Sequence, residues 1–438
     1  MRNALKAVGA ALAVIALCSP LIFWPAEEGH TTPTQLSQAT VTVPPIAVVP
    51  TTLSPDATTT TTTTTEVSTA PATTTTTTTT AAPIDITIAA VGDVLPHTQI
   101  VDSVYNPVTG SYDFYPVFAP VAPYLARADY AVANLETPLG GVDKGYSGNP
   151  PFNAPDSLAG ALRDAGIDLV STANNHALDQ GWDGLVRTLD VLDDSGLSHV
   201  GTYRNSRDRA APFIVDIKGI KVAFLNYADW LNGLSLDDEH AAYAVNKLDA
   251  DVVAQDAALA RLWGADVVIA LLHYGVEYER LPSDRQVAIS NDILSRGVDI
   301  ILGSHPHVVQ PIEHLFEYET WGRVNNKYVA YSLGNFLSAQ RDRYRDSGLI
   351  AYVHITKRGQ RVSVTGVSYL PVYVQLSTAQ SPVRYRVLPV VPGREPATDT
   401  VLTQLEQDRM AAVWEELRSV LYRPDENIRS LDPAELGL

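Results

Sequence analysis

Apolar and polar positions alternate with a period of two in "IDITIAAVGD" (84–93), which predicts a strand running into a tight turn at Gly92-Asp93. Apolar runs predict further strands in "DYAVANLE" (129–136), "IDLVSTANNH" (167–176), "ADVVIALLH" (265–273), "VDIILGSH" (298–305) and "KYVAYSLGNF" (327–336). Between them the apolar spacing turns helical. Helices are expected around Pro116–Ala126, in "PDSLAGALRDAG" (155–166), and over Trp182–Asp194, Leu248–Trp263, 283–297 and Thr398–Val420. Two hairpins are expected to turn at Lys218-Gly219 and Arg358-Gly359. Strand and helix alternate over most of this length, so the class is α/β, with a sheet covered by helices on at least one face.

The stretch before Ile84 follows a different pattern. An apolar run from Ala7 to Trp24 follows Arg2 and Lys6, which reads as a signal anchor or a cleaved signal peptide. Two runs of eight threonines, Thr58–Thr65 and Thr73–Thr80, then lie among prolines, with too few large side chains to bury a core. The expected organisation is an N-terminal membrane segment (1–25), a disordered spacer (26–83), one folded domain (84–395) and a C-terminal helical extension (396–438). The membrane segment is expected to put the domain on the extracytoplasmic side of the cell membrane, or to release it if cleaved.

Charge and cysteine content narrow the chemistry. A formal net charge of −18 over 438 residues argues against nucleic acid as a partner. The single cysteine, Cys18, rules out an internal disulfide and a thiolate metal site.

Polar clusters fall at the carboxyl ends of the predicted strands, the edge at which open α/β sheets bind ligands. Asp93 and His97 follow the first strand, and Asn134 and Glu136 end the second. Asn174, Asn175 and His176 follow the third. His273 and Glu277, His305 and His307, and Asn335 follow the later ones. Each cluster has a plainer reading: Asp93 as a turn cap, Glu136 as a surface carboxylate, the asparagines in Asx turns, His273 as a core imidazole. "GSHPHVVQP" is the sharpest signal, because two histidines two apart on an extended segment point the same way. Asp, Glu, Asn and imidazole without thiolate suit one or two divalent ions such as Mn, Zn, Fe or Mg. A carboxylate such as Glu136 can bridge a pair.

In order, "VGDVLPH", "VANLETPL", "STANNHALDQG", "LLHYGVEY", "GSHPHVVQP" and "YSLGNF" resemble the CapA family of capsule and poly-γ-glutamate synthesis and export proteins. That family resembles calcineurin-like metallophosphatases. The resemblance implies a two-sheet sandwich flanked by helices (α/β/β/α) and a two-metal site. It implies Asp93, Glu136 and His307 at one ion, and Glu136, Asn175, His273 and His305 at the other. His176 is implied as the catalytic imidazole. His97 follows Asp93 by four residues where the metallophosphatase Asp-x-His motif has two, so it is a candidate ligand or neighbour; Asn134, Asn174, Glu277 and Asn335 are candidate neighbours of the ligands, and Glu277 and Asn335 are expected to orient His273 and the substrate. Capsule-synthesis subunits and an anionic polymer are the expected partners. Two alternatives stand beside that function: an extracytoplasmic metal-dependent phosphoesterase, and a metal-free protein that binds an anionic polymer.

Overall fold

The computed structural model of the protein describes residues 82–318, 324–377, 383–396, 402–421 and 425–431. The expected membrane segment and nearly all of the spacer lie outside the described residues. Among those described, no helix is long and apolar enough to cross a membrane.

Two sheets carry the fold. The first runs Tyr385–Pro389, Arg361–Leu376, Ser347–Arg358, Ile84–Leu95, Tyr130–Leu135, Leu169–Ser171, Ser198–Val200. Its last four members are parallel. The second runs Ile312–Tyr318, Val324–Ala330, Ile300–Ser304, Val267–His273, Ile220–Ala228, Phe213–Ile217, with four parallel strands between two antiparallel edges.

The period of two along Ile84–Leu95 explains the layering, since successive side chains leave opposite faces of a strand. Ile86, Ile88 and Ala90 join Phe224, Ile269, Leu271, Ile300 and Leu302 in the core between the sheets. Ala89 and Val91 face the other way, onto Phe118, Leu158, Leu162, Leu189 and Leu192 from helices. On the outer side of the second sheet, Ala223, Val268, Ala270, Leu272 and Ile301 pack on Val253, Ala257, Ile293 and Leu294. The expected α/β/β/α sandwich is what the chain forms. Met410, Val413 and Leu417 of the helix Gln404–Leu421 belong to the inter-sheet core cluster, and Ile428–Ser430 pairs with Arg361–Leu376.

Two expectations are corrected. The first strand does not turn at Gly92-Asp93; it continues to Leu95 through a register shift at that point. The reason is a close approach: a Cβ at Gly92 would lie 1.8 Å from the Gly334 carbonyl oxygen, and the Asp93 N–H donates to that oxygen at 2.9 Å. The segment 327–336 is also not one strand. Val324–Ala330 lies in the second sheet, and Asn335–Ser338 crosses to pair with Ile84–Leu95 in the first. Gly334, at φ 71°, makes that crossing. Gly92→Ala should therefore destabilise the fold by about 1–3 kcal/mol, the usual cost of overpacking. An unchanged denaturation midpoint would refute the close approach.

Candidate metal centre

The parallel strands of both sheets end at one place. Asp93 and Asn134 lie on adjacent strands of the first sheet, and Glu136 follows directly. Asn174, Asn175 and His176 follow Leu169–Ser171. His273 ends a strand of the second sheet, and Ser304, its register partner, leads into His305 and His307. Asn335 is the register partner of Asp93.

Two buried groups of ligand-type side chains result, Glu136 with His273 and His305, and Asp93 with Glu136 and His307. Glu136 belongs to both. Its carboxylate is 0% exposed, and neither oxygen makes a hydrogen bond. His273 Nε2 lies 3.4 Å and His307 Nε2 3.9 Å from Glu136 Oε1. His305 Nδ1 is buried without a partner as well. Asn175 Oδ1 is 2.9 Å from His273 Nε2, so amide oxygen, carboxylate and imidazole converge.

The surroundings hold these groups in place. Asn134 Nδ2 donates to Asp93 Oδ1 at 2.9 Å, and the His305 N–H approaches Asp93 Oδ2 at 3.3 Å. His307 Nδ1 faces two acceptors, Asp93 Oδ2 at 3.0 Å and Asn335 Oδ1 at 3.1 Å, so it carries the proton and leaves Nε2 toward Glu136. Asn174 Nδ2 donates to the Leu135 carbonyl at 2.7 Å while its Oδ1 accepts the His176 N–H at 3.1 Å, which ties the Asn-Asn-His loop to the strand before Glu136.

Backbone strain gathers at the same place. Among the described residues, six non-glycines have φ in the left-handed region. Lys218 is in a hairpin turn; Asn232, Tyr278, His305 and His307 surround the centre, and Tyr344 lies beside its mouth. Such conformations cost on the order of 1–3 kcal/mol each and concentrate where function requires them.

Burial sets the electrostatics. It pushes the Glu136 carboxyl well above its usual range, and the Asp93 and Glu277 charges add to the shift. Burial holds His273 neutral, reinforced by His305 and His307. His305 falls to about 4, from burial first and then His307. Imidazoles kept neutral are in the form that binds a cation.

Not every candidate joins the groups. His97 directly precedes a helix without capping it through its ring, whose Nδ1 lies 3.0 Å from the Leu95 carbonyl, and burial lowers it to about 4. Glu277 is exposed at the mouth. The expectation that Glu277 and Asn335 orient His273 is corrected: Asn335 holds His307, while the polar neighbours of His273 Nδ1 are Asn134 and Ser304.

Two residues near the centre were not singled out from the sequence. Asp179 Oδ2 is 2.9 Å from His176 Nδ1 and also accepts the Phe152 N–H. Its spacing three residues after His176 was a usable signal. Asn232 Oδ1 accepts from Asn175 Nδ2 at 3.3 Å. It sits with Gly233 in a two-residue left-handed turn closed by Leu234 N–H to the Leu231 carbonyl. "NG" signals such a turn, but nothing in it tells what the turn reaches.

Residues 87–340 match the family model described as bacterial capsule synthesis protein PGA_cap. The chain belongs to this family. It is 29% identical over 287 residues to the capsule biosynthesis protein CapA of Bacillus anthracis, covering 63% of this chain and 66% of that protein. It is 30% identical over 257 residues to the PGA biosynthesis protein CapA of Bacillus subtilis (strain 168), covering 57% and 64%. The chain thus spans just under two thirds of the length of these relatives. The solved calcineurin-like phosphoesterase YfkN from Bacillus subtilis is similar over 77% of this chain and 99% of that chain, at 13% identity and a TM-score of 0.41.

Proposed function

We propose that this chain is an envelope-anchored, extracytoplasmic protein of capsule or poly-γ-glutamate synthesis and export, working through one or two divalent ions held by Asp93, Glu136, Asn175, His273, His305 and His307. The observation that carries the metal reading is the Glu136 carboxylate. A fully buried carboxylate with no hydrogen bond, flanked by imidazole nitrogens and a second carboxylate, is costly unless a cation compensates it. The donor set is oxygen and imidazole nitrogen, which fits Mn, Zn, Fe or Mg and does not choose among them. The names of the two Bacillus relatives support the polymer assignment, and the Arg2, Lys6 and Ala7–Trp24 pattern supports the anchoring.

A second reading, hydrolysis of a phosphoester, is favoured by the His176–Asp179 pair beside the same carboxylate. A bound divalent ion supplies Lewis acidity and a water acidified toward neutrality. The chain's own part is to keep His273 and His305 neutral, to hold Asp93 through Asn134, and to fix the His176 tautomer. With Nδ1–H donated to Asp179, His176 Nε2 is the nitrogen able to pass a proton to a leaving oxygen.

Metal analysis of the purified chain after dialysis should find between one and two equivalents of a divalent ion. Chelation should lower the melting temperature, and the ion should restore it. A chain with no bound metal whose melting temperature ignores added Mn, Zn, Fe and Mg defeats the metal reading. For the topology, protease added to intact cells should remove the domain; protection until lysis reverses it.

A further inference from the structure

The loop 339–346, "AQRDRYRD", follows the strand Asn335–Ser338, meets the exposed Tyr278 beside His307, and takes no part in the ligand groups. Its Arg345 guanidinium lies 3.4 Å from the centroid of the Tyr278 ring, within cation–π distance. Tyr278 in turn lies 6.0 Å, ring to ring, from His307. The backbone makes a second link: Asn335 Nδ2 donates to the Arg345 carbonyl at 2.7 Å while Asn335 Oδ1 faces His307 Nδ1. Arg345 is thereby fixed to His307 from two sides.

Two left-handed residues, Tyr344 in the loop and Tyr278 in the segment under it, shape this contact. Tyr278 (φ 69°) carries the ring under Arg345, and Tyr344 (φ 75°) has Arg280 and Arg343 within 4.0 and 4.7 Å of its ring centroid. Arg343 also reaches Glu416 at 2.7 Å, and Arg409 pairs with Asp346, so the loop is clamped to the helix Gln404–Leu421. This is a fixed wall, not a loose tail.

Acidic groups face Arg345 without consuming it. Asp342, three residues away, meets one guanidinium nitrogen at 2.7 Å, but its side chain is 75% exposed, and such surface pairs contribute little. Among the described residues, Arg345 forms an ion pair with no acid but Asp342. The remaining guanidinium N–H groups, on a side chain 26% exposed, are open to a ligand.

We infer that Arg345, stacked on Tyr278, is a recognition subsite for a second anionic group, carboxylate or phosphate, of a substrate whose first anionic group sits at the metal centre. The substrate class is then an extended polyanion, and a single anion would leave the subsite unused. This assignment rests on the metal reading above. In a chain of net charge −18, a cation held beside the mouth also gives an approaching anion an attractive local field.

The test is calorimetric binding to the full, metal-loaded chain of three probes: inorganic phosphate, tripolyphosphate and a short oligoglutamate. Arg345→Met keeps an apolar cover over Tyr278 and removes the charge. It should weaken at least one polyanion by about 10- to 100-fold, the worth of a charge-assisted hydrogen bond, with phosphate affinity and bound metal unchanged. Arg345→Lys should fall between, because it keeps charge without the planar stack. Loss for tripolyphosphate alone assigns a phosphate ligand; loss for oligoglutamate alone assigns a carboxylate one. Wild-type affinity of Arg345→Met for both polyanions overturns the subsite. So does a parallel loss of metal or of phosphate affinity, which would make Arg345 a prop for Asn335. If the wild type holds no metal, the metal reading falls by that separate measurement, whatever the variant does to polyanion binding.

Discussion

Glu136→Gln should abolish metal binding and, at neutral pH, make the metal-free protein more stable than the metal-free wild type. The two effects share one cause. Glu136 is shared by both ligand groups, so Glu136→Gln removes from each the negative charge that offsets the cations. Without a cation, the same carboxylate is a buried group with no hydrogen bond, which costs about 1–3 kcal/mol. An amide keeps the shape and can donate to the neighbouring Asp93. The sign with pH follows from the raised Glu136 carboxyl: the folded chain holds this proton more tightly than the unfolded chain, so wild-type stability falls as pH rises from the ordinary Glu range through the raised one. Glu136→Gln loses that decline. The lowered histidines act in the opposite sense on the acid side. His305 titrates near 4 when folded and near 6.5 when unfolded, so its contribution is lost as pH falls through that interval, in wild type and variant alike.

Melting curves against pH, with and without metal, check this. In the wild type a thousandfold excess of ion over its Kd should add about 4 kcal/mol, and in Glu136→Gln nothing. A variant that keeps a wild-type metal shift would show that Glu136 is not a ligand. A metal-free variant less stable than the metal-free wild type at neutral pH would show that its burial carries no penalty.

Much of this site was legible because strand periodicity and strand-end chemistry are local. The apolar runs ending near Glu136, His273 and Ser304 say where those strands stop, and parallel strands that stop together bring their next residues together. What is not local could not be read. Gly92 looks like a turn glycine, and only the carbonyl of Gly334 lying against it reveals the reason for a missing side chain. Asn335 looks like the end of a strand, and the crossing between sheets that puts it beside Asp93 depends on register in both. His97 and Glu277 follow their strands as closely as the true members of the groups do. The first turns back to its own backbone at Leu95 and the second stays exposed, and such placements are settled by packing. The tyrosines stacked with arginines at the mouth came from segments more than sixty residues apart.

His176→Ala should leave the metal in place and lower turnover of a phosphodiester by about 10²–10⁴-fold, the range for a lost general acid. His176 is not in either ligand group, and its Nδ1 is already committed to Asp179 at 2.9 Å. Phe152 packs edge-on to the ring at 4.6 Å, which holds its plane. Asp179→Asn separates orientation from chemistry. An asparagine can present its amide nitrogen to Nδ1, which then favours the tautomer with the proton on Nε2 and removes support for the imidazolium. The variant should therefore lose turnover in the same direction while keeping its fold and metal. If metal analysis finds His176→Ala depleted, the residue is a ligand and the division of roles is wrong. If the wild type holds metal, hydrolyses no phosphodiester, and His176→Ala leaves capsule polymer production unaltered in cells, the centre is structural. The capsule-assembly reading then stands without the hydrolytic one, because family membership rests on residues 87–340 as a whole and not on the acid.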